Sequence, residues 1–330
     1  MRHIPKWATS RRQFLRDAPV GALGAAFALE GLAKPTAPHG HALGVQLYTL
    51  LGPLVKDFDG TLAALRRIGY REVEVLGLLG HDAKTFRAAL DAAGLRAPSV
   101  HVLSTTAQAL FVELATGRVP EDKAWAQINA SMDLTHIEQI MEDLFAQSDV
   151  LGNEYLALAA IDSVLFESRA GIDRVIVAFR KAGDLCQKKG LKFAWHPHLA
   201  EFKVVDGKRA LDWVLEATDP QKVLVELDFF WASMANVDVP GLLAQYPGRF
   251  HLGHVKDMAR NVVVPDGGFK DSRSVSNDSF ADVGYGKLDY RRWIPLARRA
   301  GMRHFFVERD SAPQPLENVK RSFESLRGLI

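Results

Sequence analysis

Short apolar runs alternate along most of this chain with longer stretches in which apolar positions recur every three or four residues. Eight such runs read as strands, at 43–47, 73–76, 100–103, 155–160, 191–195, 223–227, 250–255 and 303–307. Between them Phe86, Ala89, Leu90 and Ala93 fall at i, i+3, i+4 and i+7, as do Ile172, Val175, Ile176 and Phe179, so each segment has one apolar stripe to lay against a sheet. Leu134, Ile137, Met141, Leu144 and Phe145 make a third face of this kind. Helical stretches repeatedly end in Gly, an apolar residue and a basic one before the next strand, at Gly69, Gly94, Gly190 and Gly301. Gly at that point can adopt the left-handed conformation that closes a helix, so the pattern is a repeated αβ unit. Alternation of this kind implies parallel strands, and eight of them favour a closed (β/α)8 barrel, the TIM barrel, in a single domain. A doubly wound open sheet is the alternative, although no dinucleotide-type glycine turn follows the first strand. Segments 104–125 and 258–286 read as irregular: an insertion after the third strand, and a long loop that a barrel would hang over its mouth.

The N-terminal segment changes the picture of where the protein works. Ser10-Arg11-Arg12-Gln13-Phe14-Leu15-Arg16 precedes an Ala- and Gly-rich stretch to Ala33, the pattern of a twin-arginine export signal. A charged arm or a membrane anchor are the other readings, and Glu30 interrupts the apolar stretch. The expected division is therefore a signal peptide and short linker over 1–37, read by the twin-arginine export machinery, and a periplasmic barrel over 38–330. Without the leader the chain carries 35 basic against 37 acidic residues, so no surface for tracking nucleic-acid phosphates is expected. Cys186 stands alone and excludes an intramolecular disulfide; it reads as a core thiol. Assembly into a homo-oligomer is left open.

Candidate chemistry sits at the ends of the last four strands: Trp195-His196-Pro197-His198, Glu226-Leu227-Asp228, His254-Val255-Lys256-Asp257 and Val307-Glu308-Arg309-Asp310. In a (β/α)8 barrel those ends form the active face, so His196, Asp228, His254 and Glu308 are expected to converge on a divalent ion such as Mn²⁺, Zn²⁺ or Co²⁺. Each residue alone has a structural explanation, with Asp228 capping the next helix and Glu308 pairing with Arg309. Their joint placement in neighbouring units argues for a site. His198 shares the parity of His196, and Glu226 that of Asp228, so both should point inward. Gln46, Glu74, His101 and Trp231 occupy other strand ends or the turn beyond one and are candidates to bind substrate, with barrel-mouth packing the competing role. Arg260 reads as an anion contact or a surface arginine.

These residues, with Gly44-Val45-Gln46-Leu47-Tyr48, Gly69-Tyr70-Arg71-Glu72-Val73-Glu74, His196-Pro197-His198-Leu199-Ala200-Glu201-Phe202, Glu226-Leu227-Asp228-Phe229-Phe230-Trp231 and Val283-Gly284-Tyr285-Gly286-Lys287-Leu288-Asp289-Tyr290, resemble the sugar phosphate isomerase/epimerase group of xylose-isomerase-like TIM barrels. The resemblance implies one divalent ion at the barrel mouth and action on the carbonyl and adjacent hydroxyl of a small sugar substrate. Asp228, His254 and Glu308 match the group's ligands. His196 stands where many ketose epimerases carry a glutamate, which removes one of the two proton-transferring carboxylates those enzymes use. Proton transfer then falls to Glu308 or to groups beside the ion, His198, Glu201, Lys256 or Glu226. The expected function is a metal-dependent isomerase or epimerase acting through an enediolate on a non-phosphorylated sugar, since sugar phosphates are chiefly cytoplasmic. The same enolisation in a lyase or hydrolase of 3-keto-glycosides, or a non-catalytic periplasmic sugar-binding protein, are the alternatives.

Overall fold

The computed structural model describes residues 43–330. Eight parallel strands close into a barrel: β1 (Leu43–Gln46), β2 (Glu72–Val75), β3 (Arg96–His101), β4 (Tyr155–Leu158), β5 (Lys192–Trp195), β6 (Val223–Asp228), β7 (Phe250–Val255) and β8 (His304–Val307). Each strand pairs with its sequence neighbours, and β8 closes on β1 through Leu43 opposite Phe305 and Val45 opposite Val307. The open-sheet alternative is thereby excluded. The leader expected over 1–37 lies outside the described residues.

The helices ring the barrel: α1 (Phe58–Ile68), α2 (Ala83–Ala93), α3 (Thr105–Ala115), α4 (Glu121–Ser131), α5 (Ile137–Leu151), α6 (Arg169–Lys188), α7 (Ala210–Ala217), α8 (Val239–Gln245), α9 (Tyr290–Arg299) and α10 (Pro315–Leu326), with shorter turns between. The stripe read on α6 is the buried one, Ile172, Val175, Ile176 and Phe179. Gly69, Gly94, Gly190 and Gly301 all have positive φ, as the repeated helix-ending pattern requires. Cys186 is buried in α6, and burial pushes its thiol up to about 12, which suits a core residue. No described helix is long and apolar enough to cross a membrane.

One expectation is overturned. Segment 104–125 is not an irregular insertion but most of a helix pair, α3 and α4. Ser104 caps α3 by accepting a hydrogen bond from Ala107 N–H at 3.0 Å, and Glu121 and Asp122 occupy the first turn of α4, where carboxylates are favoured. The weak amphipathicity of both helices, which pack on each other, hid them from a search for one apolar stripe. Segment 258–286 is the long loop expected, pinned by a two-residue pairing of Asp257–Met258 with Phe280–Ala281.

Inside the barrel, strand parity builds layers. Tyr155, Ala157, Ala194, Leu224, Leu252 and Phe306 form an apolar plug. Gly44 is required beside it, because a Cβ there would lie 2.4 Å from the Phe306 ring. Above the plug, toward the C-terminal ends of the strands, the inward residues turn polar.

Candidate metal and active site

The first polar layer holds Gln46, Glu74, His101, Glu226 and His254. Register explains the grouping: Gln46 lies opposite Glu74 across β1–β2, and Asp228 opposite His254 across β6–β7. Glu74 accepts from Ser99 Oγ at 2.5 Å, from Gln46 Nε2 at 3.1 Å and from His254 Nε2 at 2.6 Å. Burial works to raise the Glu74 carboxyl, but His101 and His254 outweigh it and hold it well below its ordinary value. Burial opposes protonation of His101, yet Glu74 and Glu226 push it up to about 9. Gln46 Nε2 meets His101 at 3.1 Å and Glu74 meets His254. Gln46 and Glu74 are wholly buried and, like Asp228 and His254, do not line the cavity above. His101 and Trp231 do line it.

The second layer is His196, Asp228, His254, Lys256 and Glu308. One ligand-type atom from each of His196, Asp228, His254 and Glu308 lies within 4.8 Å of the others, all on buried residues. Asp228 splits its two oxygens: Oδ1 caps the following turn, accepting from Phe230 N–H at 2.8 Å and Trp231 N–H at 3.0 Å, while Oδ2 faces the cluster. The capping role and the ligand role are therefore not alternatives. Glu308 does not pair with Arg309, whose Nη1 reaches Asp282 at 2.5 Å instead. Lys256 Nζ stands 2.9 Å from Asp228 Oδ2, 2.8 Å from Glu308 Oε2 and 2.8 Å from Asp310 Oδ1. Burial disfavours its charge, but these three carboxylates hold it protonated.

The fit to a cation can be judged from atoms left over. Asp228 Oδ2, His254 Nδ1 and Glu308 Oε2 are buried without a well-directed hydrogen bond, although Lys256 Nζ is ion-paired with both carboxylate oxygens and His254 Nδ1 lies 2.6 Å from Glu308 Oε2. With Nε2–H donated to Glu74, Nδ1 presents a lone pair to a carboxylate, and that approach requires a positive charge between them, a proton or a metal ion. The residues present fit a divalent metal. His196 is kept neutral, first by burial and then by His254, which suits a ligand.

A cavity of about 1100 Å³ opens over this cluster. His196, His198, Glu201, Trp231, Lys256, Glu308 and Asp310 reach it from the barrel. Burial raises the Glu201 carboxyl to about 7, and its Oε2 accepts from His198 N–H at 3.0 Å. Burial and Lys256 lower His198 to about 3, so it is neutral at working pH. Asp310 was missed in the sequence; burial raises it to about 6 against the pull of Lys256. Its spacing two residues after Glu308 was the signal, since strand parity turns both toward the mouth. Arg260 is exposed and bonds to the Tyr285 carbonyl, the surface role.

Residues 62–329 match the family profile of xylose isomerase-like TIM barrels. The chain belongs to that family. Among solved family-like structures, it resembles a sugar phosphate isomerase/epimerase from Parabacteroides distasonis ATCC 8503 with a TM-score of 0.67 and 23% identity, over 92% of this chain and 99% of that one. It also resembles the IolI protein with a bound zinc atom, with a TM-score of 0.59 and 14% identity, over 87% of this chain and 97% of that one. At these identities the likeness is one of fold. An inosose dehydratase of Geobacillus kaustophilus strain HTA426 is 26% identical over 208 residues, 62% of this chain and 63% of the dehydratase, so the match spans less than two thirds of that curated relative.

Proposed function

We propose that this chain is a metal-dependent enzyme that removes a proton next to the carbonyl of a non-phosphorylated sugar, with loss of a β-substituent as the outcome. The observation that carries this reading is the convergence of ligand-type atoms of His196, Asp228, His254 and Glu308 within 4.8 Å of one another, buried, under a large cavity and with Lys256 as the one ammonium among the carboxylates. A divalent ion held by these residues and His196 would supply Lewis-acid stabilisation of charge on the substrate's oxygens.

The proton chemistry belongs to the chain. Glu201, with its carboxyl near 7, is matched to take and return a proton at neutral pH. Glu308 is held low by Lys256 and His254 despite burial, and is better suited to ligation than to proton transfer. Lys256 is a fixed ammonium whose charge can stabilise a substrate oxygen, and neutral His198 can accept from a hydroxyl. Epimerisation needs a proton-transferring group on each face of the substrate carbon, and His196 replaces one of the carboxylates used for it. Elimination needs one base and one acid, which Glu201 and Asp310 provide. The likeness to an inosose dehydratase supports this outcome. Isomerisation on one face would use the same groups and is the second reading.

Incubation of the metal-loaded protein with aldoses, ketoses and 3-keto-glycosides in D₂O, followed by NMR, tests the proposal. Deuterium uptake with a released substituent is expected; uptake with rearranged sugar would favour isomerisation, and no exchange across the panel would favour a binding protein. We propose further that residues 1–37 export the barrel to the periplasm, and a reporter fused behind them should be exported only while Arg11 and Arg12 are intact.

A further inference from the structure

The cavity exceeds what a single sugar ring requires. Pockets of roughly 300–1,000 Å³ hold drug-sized ligands, and at about 1100 Å³ this one leaves much of its space unassigned once a sugar sits on the polar floor. Part of its lining is aromatic and aliphatic. Tyr48, Phe111 and Trp125 pack against one another with centroids 6.0, 6.4 and 5.6 Å apart, and all three line the cavity. Val164 lines it too and is 59% exposed, an aliphatic side chain left in water beside the site. On α4 the cavity-facing residues Glu121, Asp122, Trp125, Ala126 and Asn129 form one helical stripe, so the α3–α4 pair is a wall of the site. Near the floor, Trp231 is 4% exposed, and its Nε1–H has no acceptor among the described residues, which leaves a buried donor in the cavity lining.

We propose that the cavity is a two-part site whose apolar lining, the Tyr48, Phe111 and Trp125 cluster together with Val164, binds a ring-bearing aglycone, so that the substrate is a keto-glycoside rather than a free sugar. This rests on the elimination reading for its chemistry. Glu201 takes the proton from the carbon between the carbonyl and the anomeric carbon. The C–H electron pair becomes the new C=C bond, the anomeric C–O bond breaks, and the departing oxygen keeps its pair and is protonated. The products are an alcohol or phenol and an unsaturated keto-sugar, with no oxidant or reductant needed. An aryl group and a second sugar both offer a flat apolar face to such a wall.

Calorimetric titration of the full-length protein with phenyl β-glucoside, cellobiose and methyl β-glucoside tests this without turnover. At least one ring-bearing glycoside should bind about tenfold tighter than the methyl glycoside, and which one does so assigns the aglycone as aryl or sugar. Trp125→Leu and Phe111→Leu should erase that advantage while leaving the methyl glycoside within about twofold, and Trp125→Phe should keep most of it. Val164→Asp, at an exposed position that spares the core, should weaken the ring-bearing ligand alone and serves if the leucine variants do not fold. Equal affinity for all three glycosides, no binding of any, or an advantage that survives these variants would overturn the proposal. Failure of elimination in the deuterium experiment would leave the binding result standing, so the two ideas fail separately.

Discussion

The two ends of the barrel interior use the same residue types for different ends. At the N-terminal end Glu72 takes Arg96 at 2.6 Å and His304 Nδ1–H at 2.8 Å, Tyr155 meets His251 Nδ1 at 3.2 Å, and Lys192 meets Glu154 at 3.1 Å. None of these side chains has a buried polar atom without a partner. At the C-terminal end Asp228, His254, Glu226 and Glu308 keep such atoms, at deeper burial. Carboxylates buried together around one ammonium, with polar atoms lacking a directed hydrogen bond, cost folding free energy, so such a cluster points to a bound ion or ligand. Partnership, rather than the presence of His and carboxylate, separates the structural end from the candidate site.

The sharpest way to break that contrast is to remove a mouth carboxylate without disturbing the fold. Asp228→Asn preserves the Oδ1 cap, since asparagine caps as well as aspartate, and removes only the charge facing the cluster. Turnover should fall on the order of 10³ or more, with metal content lost by elemental analysis and the melting temperature nearly kept. His254→Gln should do the same. Full metal occupancy in both variants would mean that the leftover atoms are not a metal site.

Next in size is Glu201→Gln, expected to lower turnover by about 10² to 10⁴ and to remove an ionisation near pH 7 from the rate profile, below which the wild type loses its base. The variant also tests stability. A carboxyl raised in the folded state stabilises at low pH, and this contribution is lost as pH rises through about 7. Unfolding titrations at pH 4 and pH 8 should differ by roughly 3 kcal/mol more in the wild type than in the variant. Glu74→Gln should act through His254, weakening metal binding by about 10 to 100-fold while sparing the pH profile; an unchanged metal affinity would make Glu74 a packing residue only.

Much of this arrangement is legible in the sequence, and the limits are physical. The eight strands announce themselves because a barrel strand is buried on both faces and reads as a short apolar run. His196, Asp228, His254 and Glu308 are found because topology fixes the strand ends at one face. The contacts of Gln46 and Glu74 with His101 and His254 are not visible, since parity tells which residues point inward but not which of them meet across the barrel. The helix pair α3–α4 escapes because its apolar residues are shared between a helix–helix contact and the cavity wall. No single stripe emerges from Phe111 and Trp125, although they bound the site.

The smallest effect belongs to the paired end, and it tests whether pairing there is merely structural. Tyr155→Phe deletes the hydroxyl that meets His251 and accepts a long 3.4 Å hydrogen bond from Lys192 Nζ, while keeping the ring in the apolar plug and beside His304. His251 is pushed down to about 4, first by burial and then by Arg303, so it is neutral and loses one neutral hydrogen bond. Because its ring is partly exposed, water can replace that bond, and the cost should stay near 1 kcal/mol. Turnover and metal affinity should remain within about twofold, because the apolar plug separates this layer from the ligand-type atoms above it. A drop in activity comparable to that of Glu74→Gln would show that the two ends are coupled through the plug, and that partnership alone does not mark where the chemistry stops.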